Sequence, residues 1–287
     1  MFPAIPARNG LKMISRRNLL LGAAAGLAGG TGISYAHYYE PTRFEVTHSR
    51  IRFFPEPSTD TPLKVLFLTD LHYSRYVSLA MISQAIALGL AEKPDLILLG
   101  GDYVTFDMPL DFPAYSKVLA PLAACAPTFA CYGNHDRPVG KPRNGYITKT
   151  LTDAGITILF NTSTRVNLRQ RQFMLYGTGD LWCRQCHSEF IPPWRDDALP
   201  RLVLAHNPDS KDVLRKSDWD LMLCGHTHGG QMHIPLVGEP LAPVKDKRYV
   251  AGLNAFGKRH IYTSRGVGNL YGLRVNCRPE VTILELM

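Results

Sequence analysis

The chain lacks any run of about twenty strongly apolar residues, the length a membrane-spanning helix requires. Its most apolar N-terminal stretch, Leu21 to Ala36, is interrupted by glycines at positions 22, 26, 29, 30 and 32. No repeat of fixed period and no low-complexity tract is present, which excludes solenoids, propellers and arrays. No second Cys-x-x-Cys accompanies Cys183-Arg184-Gln185-Cys186, so a four-cysteine zinc site is excluded and a local disulfide or two unpaired thiols remain. A cluster of interleaved basic and aromatic residues is also missing, which disfavours nucleic acid as a partner. Finally, the first 36 residues hold no acid but carry Arg8, Lys12, Arg16 and Arg17. Without them the formal charge of +8 falls to 8 − 4 = +4, a mild excess that implies no polyanionic partner.

What is present begins with an export pattern. Ser15-Arg16-Arg17-Asn18-Leu19-Leu20 precedes the Gly/Ala-rich run, and Ser34-Tyr35-Ala36 has the small-x-Ala form of a cleavage site. The paired arginines are similar to the twin-arginine class of leaders, although Leu19 and Leu21 replace its usual Phe and Lys. We expect a twin-arginine-type leader over 1–36, cleaved rather than kept as an anchor, with the twin-arginine export machinery as a partner. The destination would be the periplasm or cell envelope, with attachment to a membrane surface if the leader is not cut. Export would place all six cysteines where disulfides can form, and Cys125 and Cys131 flank a Pro-containing turn.

The remaining 251 residues suit one large α/β domain over 63–287, preceded by an opening strand and loop over 37–62. Leu63 to Thr69 is a nearly continuous apolar run, as expected of a strand buried on both faces, and it ends in Asp70-Leu71-His72. Helical spacing follows from Leu79 to Leu90, stopped by Pro94. The next apolar run, Asp95 to Leu99, ends in Gly100-Gly101-Asp102. A helix from about Leu110 to Ala124 leads to Thr128–Tyr132, which ends in Gly133-Asn134-His135-Asp136. A helix over 145–155, a strand over Ile156–Phe160 and a hairpin between 162 and 180 follow, the last closing in Gly179-Asp180. Leu202 to Ala205 ends in His206, and a short helix over Ser210–Arg215 leads to Trp219–Leu223, which ends in Gly225-His226-Thr227-His228. Short strands from His260 onward close the chain.

Strand ends are where ligands bind in α/β sheets. Here they gather two carboxylates, an amide and several imidazoles, a donor set suited to Mn, Fe or Zn ions. Seven or eight donors exceed one tetrahedral ion and suit two ions.

This ordered set, Asp70-x-His72, Gly101-Asp102, Gly133-Asn134-His135-Asp136, His206 and Gly225-His226-Thr227-His228, resembles the calcineurin-like metallophosphoesterase family. The resemblance covers Leu63 to Met287, with the motifs in family order, and within the family it is greatest to exported phosphodiesterases. It implies an α/β fold of the metallophosphoesterase type, an α/β/β/α sandwich with a dinuclear metal site at the C-terminal ends of the strands. It further implies two divalent cations (Mn, Fe, Zn or Mg), one held by Asp70, His72 and His228, the other by Asn134, His206 and His226, with Asp102 bridging. The implied reaction is attack on the phosphorus of a phosphoester substrate by a metal-bound hydroxide. His135 would be the general acid for the leaving alkoxide. Asp136 would orient an imidazole or, equally, cap a helix. Arg265 is a candidate phosphate contact, outweighed by a structural role.

Three other readings stand beside this one. A pyrophosphatase acting on a lipid-linked nucleotide sugar would need a sizeable apolar groove beside the metals. A metal-free scaffold would lack ligands, and none is missing. A nuclease is disfavoured by the modest charge.

Overall fold

A computed structural model describes residues 32–55, 61–105, 108–136, 144–194 and 199–287. Residues 1–31 of the expected leader, including the paired arginines, lie outside the described residues.

Two six-stranded sheets lie face to face. The first has the order β1 (Glu45–Ile51), β12 (Glu280–Leu286), β2 (Leu63–Leu68), β3 (Leu96–Leu99), β4 (Thr128–Ala130), β5 (Thr157–Ile158). The second runs β10 (Gly252–Phe256), β11 (Arg259–Thr263), β9 (Leu221–Cys224), β8 (Arg201–Leu204), β7 (Arg171–Gly177), β6 (Thr162–Leu168). The ligand-bearing strands β2, β3 and β4 are mutually parallel, as are β8 and β9, so their C-terminal ends share one edge of each sheet.

The period-two geometry of a strand explains the unbroken apolar runs. Leu63, Val65 and Phe67 of β2 and Leu96 and Leu98 of β3 face inward, where they meet Phe173, Leu175, Leu202, Leu204, Leu221 and Leu223 of the second sheet. Leu66, Leu68, Ile97 and Leu99 face the opposite way and pack under three helices, α1 (Leu79–Ala91), α2 (Phe112–Cys125) and α3 (Asn144–Asp153). Val203 and Met222, on the outer face of the second sheet, pack with Trp219, Tyr249 and Ile261. Each fully buried side chain of this size contributes about 1.5–3 kcal/mol. Among the described residues that outer face carries α4 (Ser210–Val213), short 3-10 turns and loops, so the sandwich is α/β/β/α with a thin last layer.

Local signals set the helix limits. Ser78 caps α1 by accepting from the Met81 N–H, and Ile82, Ala85, Ile86 and Gly89 form its buried stripe. Asp111 caps α2 through the Ala114 N–H, which moves the start two residues beyond the expected Leu110. β5 is shorter than the apolar run Ile156–Phe160 because, at the sheet edge, it pairs over two residues only, and β4 is shorter than Thr128–Tyr132 because its three-residue pairing with β3 ends at Ala130. β10 was not expected, its alternation being weak, yet it pairs antiparallel with β11. All six thiols are free, so Cys183 and Cys186 are the unpaired case and Cys125 and Cys131 are not joined.

Residues preceding β1 are built into the body. Ala36 is buried inside a π-helical turn over Tyr35–Tyr39, and its carbonyl accepts from the Arg274 N–H at 3.0 Å. Glu40 is also buried, and its carboxylate accepts from the Cys277 N–H. No helix among the described residues is long and apolar enough to cross a membrane.

Candidate metal centre

The strand-end donors converge where the two parallel sets meet. Five of them adopt left-handed backbone with no glycine's freedom: Asp70 (φ 54°), His72 (47°), Asp102 (56°), His226 (69°) and His228 (52°). Such residues cost of order 1–3 kcal/mol each and persist where the surroundings over-determine them. The chain curls back immediately after each strand and throws a polar side chain over the strand's end.

Two glycines allow the backbones to close in. A Cβ at Gly133 would strike the Asp102 side chain and backbone, and one at Gly225 would strike Thr69 Oγ1 and Asp70 Oδ2. Gly133→Ala is therefore expected to push Asp102 out of place, at about 1–3 kcal/mol in stability. Thermal unfolding and metal analysis check this; an unchanged midpoint with full metal content would rule it out.

Asp70 lies fully buried, with Oδ2 accepting from Thr69 Oγ1 at 2.8 Å and both oxygens accepting from the His226 N–H at 3.0–3.1 Å. Asp70 Oδ1 is 3.4 Å from His228 Nε2, which is 3.1 Å from His72 Nε2. Asp102 Oδ2 stands between the halves, 3.5 Å from His72 Nε2 and 3.1 Å from His206 Nε2. Ligand atoms of Asp70, His72 and His228 lie within 4.8 Å of one another, as do those of Asp102, His206 and His226. His135 forms a third such group with His72 and Asp102.

The donors are prepared to bind cations. His206 Nδ1 donates to the Gly100 carbonyl at 2.7 Å, leaving Nε2 to face the site. His72 Nδ1 is engaged by Thr105 Oγ1 at 2.7 Å, which likewise turns Nε2 inward. Burial lowers the pKa of His72 and of His226 to about 3, and burial lowers that of His228 well below the ordinary value. These imidazoles are neutral, the ligating form. Burial raises the pKa of Asp70 to about 6. For His206, burial is outweighed by the hydrogen-bonded Asp102 carboxylate, which raises it well above 6.5. Asp102 is held low against its burial by His206 and His135. Asn134 Oδ1 and His226 Nε2 are buried without a hydrogen-bond partner, and both residues line the same cavity. Two hard oxygen sets, neutral imidazoles and orphaned acceptors fit two divalent cations better than any hydrogen-bond scheme confined to the protein.

Asp136 occupies a different role from either one expected. Its carboxylate accepts from the backbone N–H groups of Asp102 (2.7 Å), Tyr103 (2.8 Å) and Gly133 (2.7 Å). It thus ties together the loops that carry Asp102 and Asn134, with both oxygens spent on backbone amides instead of an imidazole or a helix end. Arg265 pairs with Glu280 at 3.0 Å and Glu45 at 2.9 Å, away from the cavity, as a structural residue. Asp180, another acid at a strand end, accepts from the Cys183 N–H and joins neither metal group.

Several supports have no local sequence signal. Thr105 comes from a loop 33 residues beyond His72. Arg274, fully buried, donates to the carbonyls of Arg265, Gly266 and Gly268, bracing the turn that abuts Asp70. Trp182 sets its ring edge-on to His226 at 4.2 Å.

Residues 63–230 match the calcineurin-like phosphoesterase family. The chain is 65% identical over 275 residues to phosphodiesterase YaeI of Escherichia coli strain K12, covering 96% of this chain and 100% of that one. It is 31% identical over 288 residues to the metallophosphoesterase YkuE of Bacillus subtilis strain 168, covering 96% and 99%. Among solved structures, a dimetal phosphatase from Danio rerio aligns with a TM-score of 0.40 at 13% identity, covering 74% of this chain and 90% of that one.

Proposed function

The chain belongs to the calcineurin-like phosphoesterase family and is a hydrolase of phosphoesters, and on that premise we propose that it cleaves phosphodiester bonds outside the cytoplasm. The observation that carries the reaction is the pair of buried donor groups, Asp70/His72/His228 and Asp102/His206/His226, with Asp102 Oδ2 within 3.5 Å of an imidazole on each side. Asn134, whose buried Oδ1 has no hydrogen-bond partner and which lines the same cavity, would complete the second group. Two divalent cations held by these residues would lower the pKa of a water and would offset charge on the phosphate oxygens.

The chain's own residues do the rest. Asp136 fixes the loops bearing Asp102 and Asn134, and the Asp102 carboxylate holds the His135 N–H at 2.8 Å. That bond sets the half-buried His135 at the cavity edge, where its imidazole can give a proton to the departing alkoxide.

The test is a hydrolysis panel with protein stripped by chelator and reloaded with Mn, Fe, Zn or Mg. We expect bis(p-nitrophenyl) phosphate to be cleaved faster than p-nitrophenyl phosphate, with activity lost on chelation and restored by metal. A preference for the monoester would overturn the diester assignment.

A pyrophosphate substrate in a lipid-linked nucleotide sugar is a second reading, favoured by the apolar wall of Trp182, Leu241, Pro243, Leu270 and Tyr271 in the same cavity. Including such a compound in the panel separates the two.

For location, the support is the Ser15-Arg16-Arg17 motif and the acid-free leader. Arg16→Lys with Arg17→Lys is expected to leave the protein in the cytoplasm, as read by fractionation. Undiminished export of the double variant would sink the twin-arginine route.

A further inference from the structure

The cavity at the metal centre, of about 200 Å³, is lined by no lysine or arginine among the described residues. Its mouth instead carries large side chains open to solvent: Trp182 is 56% exposed, Leu241 65% and Tyr271 79%. Aromatic residues with one apolar and one polar end, set around an opening, are those that settle at a lipid–water boundary.

A separate feature of the fold points the same way. Gly272, next to Tyr271, is so close to His37 and Tyr76 that a Cβ there would strike both. The turn Tyr35–Tyr39 therefore docks beside the rim, fixed by the Ala36 carbonyl on Arg274. Tyr38 on this turn is mostly exposed, and the Gly/Ala-rich apolar run of the leader ends at the turn in sequence. A leader left uncut would therefore join the body next to the mouth of the site, at the turn Tyr35–Tyr39.

We propose that this rim docks on a lipid bilayer, with Trp182, Leu241 and Tyr271 entering the apolar layer, and that the phosphoester reaches the metal centre from that surface. The docking surface stands on the exposed side chains and the position of the N-terminal turn. Only the delivery of a substrate rests on the phosphodiesterase reading above. Edge-on contact with His226 places Trp182 at the junction between the lipid and the metal ligands.

The test uses the full chain with vesicles of phosphatidylethanolamine and phosphatidylglycerol whose acyl chains are brominated near the headgroup. Bromine quenches tryptophan that enters the apolar layer. We expect quenching in the unaltered chain and loss of most of it in Trp182→Phe, which keeps Trp194 and Trp219. Tyr271→Ser combined with Leu241→Ser keeps all three tryptophans and is expected to lower quenching too, with a thermal midpoint and metal content like those of the unaltered chain. Equal quenching with and without Trp182 would overturn the proposal, as would vesicle binding with no quenching, which is attachment through the leader alone. Hydrolysis of soluble bis(p-nitrophenyl) phosphate is followed in the same samples. Quenching without hydrolysis leaves the docking surface and removes the phosphodiesterase; hydrolysis without quenching does the reverse.

Discussion

Asp102→Asn is expected to remove both ions and to lower hydrolysis by more than about 100-fold. The side chain is the one carboxylate shared by the two halves of the site, with Oδ2 3.1 Å from His206 Nε2 and 3.5 Å from His72 Nε2. An amide of the same shape takes away the negative charge and can turn an N–H₂ toward imidazoles that offer lone pairs. It also removes the carboxylate that raises the His206 pKa against its burial. Both halves lose a donor at once, so the ions should be lost together and not one at a time. Metal analysis of the purified variant reads this directly. A variant that kept two ions would show that Asp102 does not bridge, and one that kept a single ion would assign the residue to the other half alone.

Much of this centre is legible in the sequence because of how a doubly buried strand ends. Both faces of β2, β3, β8 and β9 are covered, so their residues read as unbroken apolar runs. The first polar residue after each run must then lie on the edge of the sheet, and Asp70, Asp102, His206 and His226 are each found there. The helices α1 and α2 are legible for a similar reason: Ser78 and Asp111 are local caps, and each buried stripe keeps helical spacing.

The features that escaped depend on partners remote in sequence. β1 lies parallel to β12, 235 residues away in register at Ile51 and Leu286, and nothing in Glu45–Ile51 names that partner. Asp136 follows two residues of a metal-site motif, yet its three N–H partners come from two loops whose approach depends on Gly101 and Gly133. Arg274 carries no motif by sequence, and its guanidinium finds its carbonyls on the turn at 265–268 and on Cys277, while its backbone N–H holds the docked N-terminal segment at Ala36. The rim is equally silent, because Trp182, Leu241 and Tyr271 sit in loops without periodicity and meet only at the cavity.

His135→Ala is expected to reduce turnover by about 10²–10⁴-fold while leaving both ions in place. The argument turns on which part of the residue does what. Its backbone N–H donates to Asp102 Oδ1 at 2.8 Å, a bond that alanine retains, so the carboxylate between the two groups stays anchored. Its ring stands edge-on to His72, centroids 5.0 Å apart, at the border of the cavity. The same position also allows a rival role, since His135 could serve as a ligand with His72 and Asp102. Leaving groups of graded basicity separate the two. A proton donor matters most when the departing oxygen is a strongly basic alkoxide and least when it is p-nitrophenolate, so the loss in the variant should shrink as the leaving group improves. A ligand would give a loss of equal size across the series, accompanied by a fall in bound metal. That pattern would move His135 from proton transfer to the metal shell.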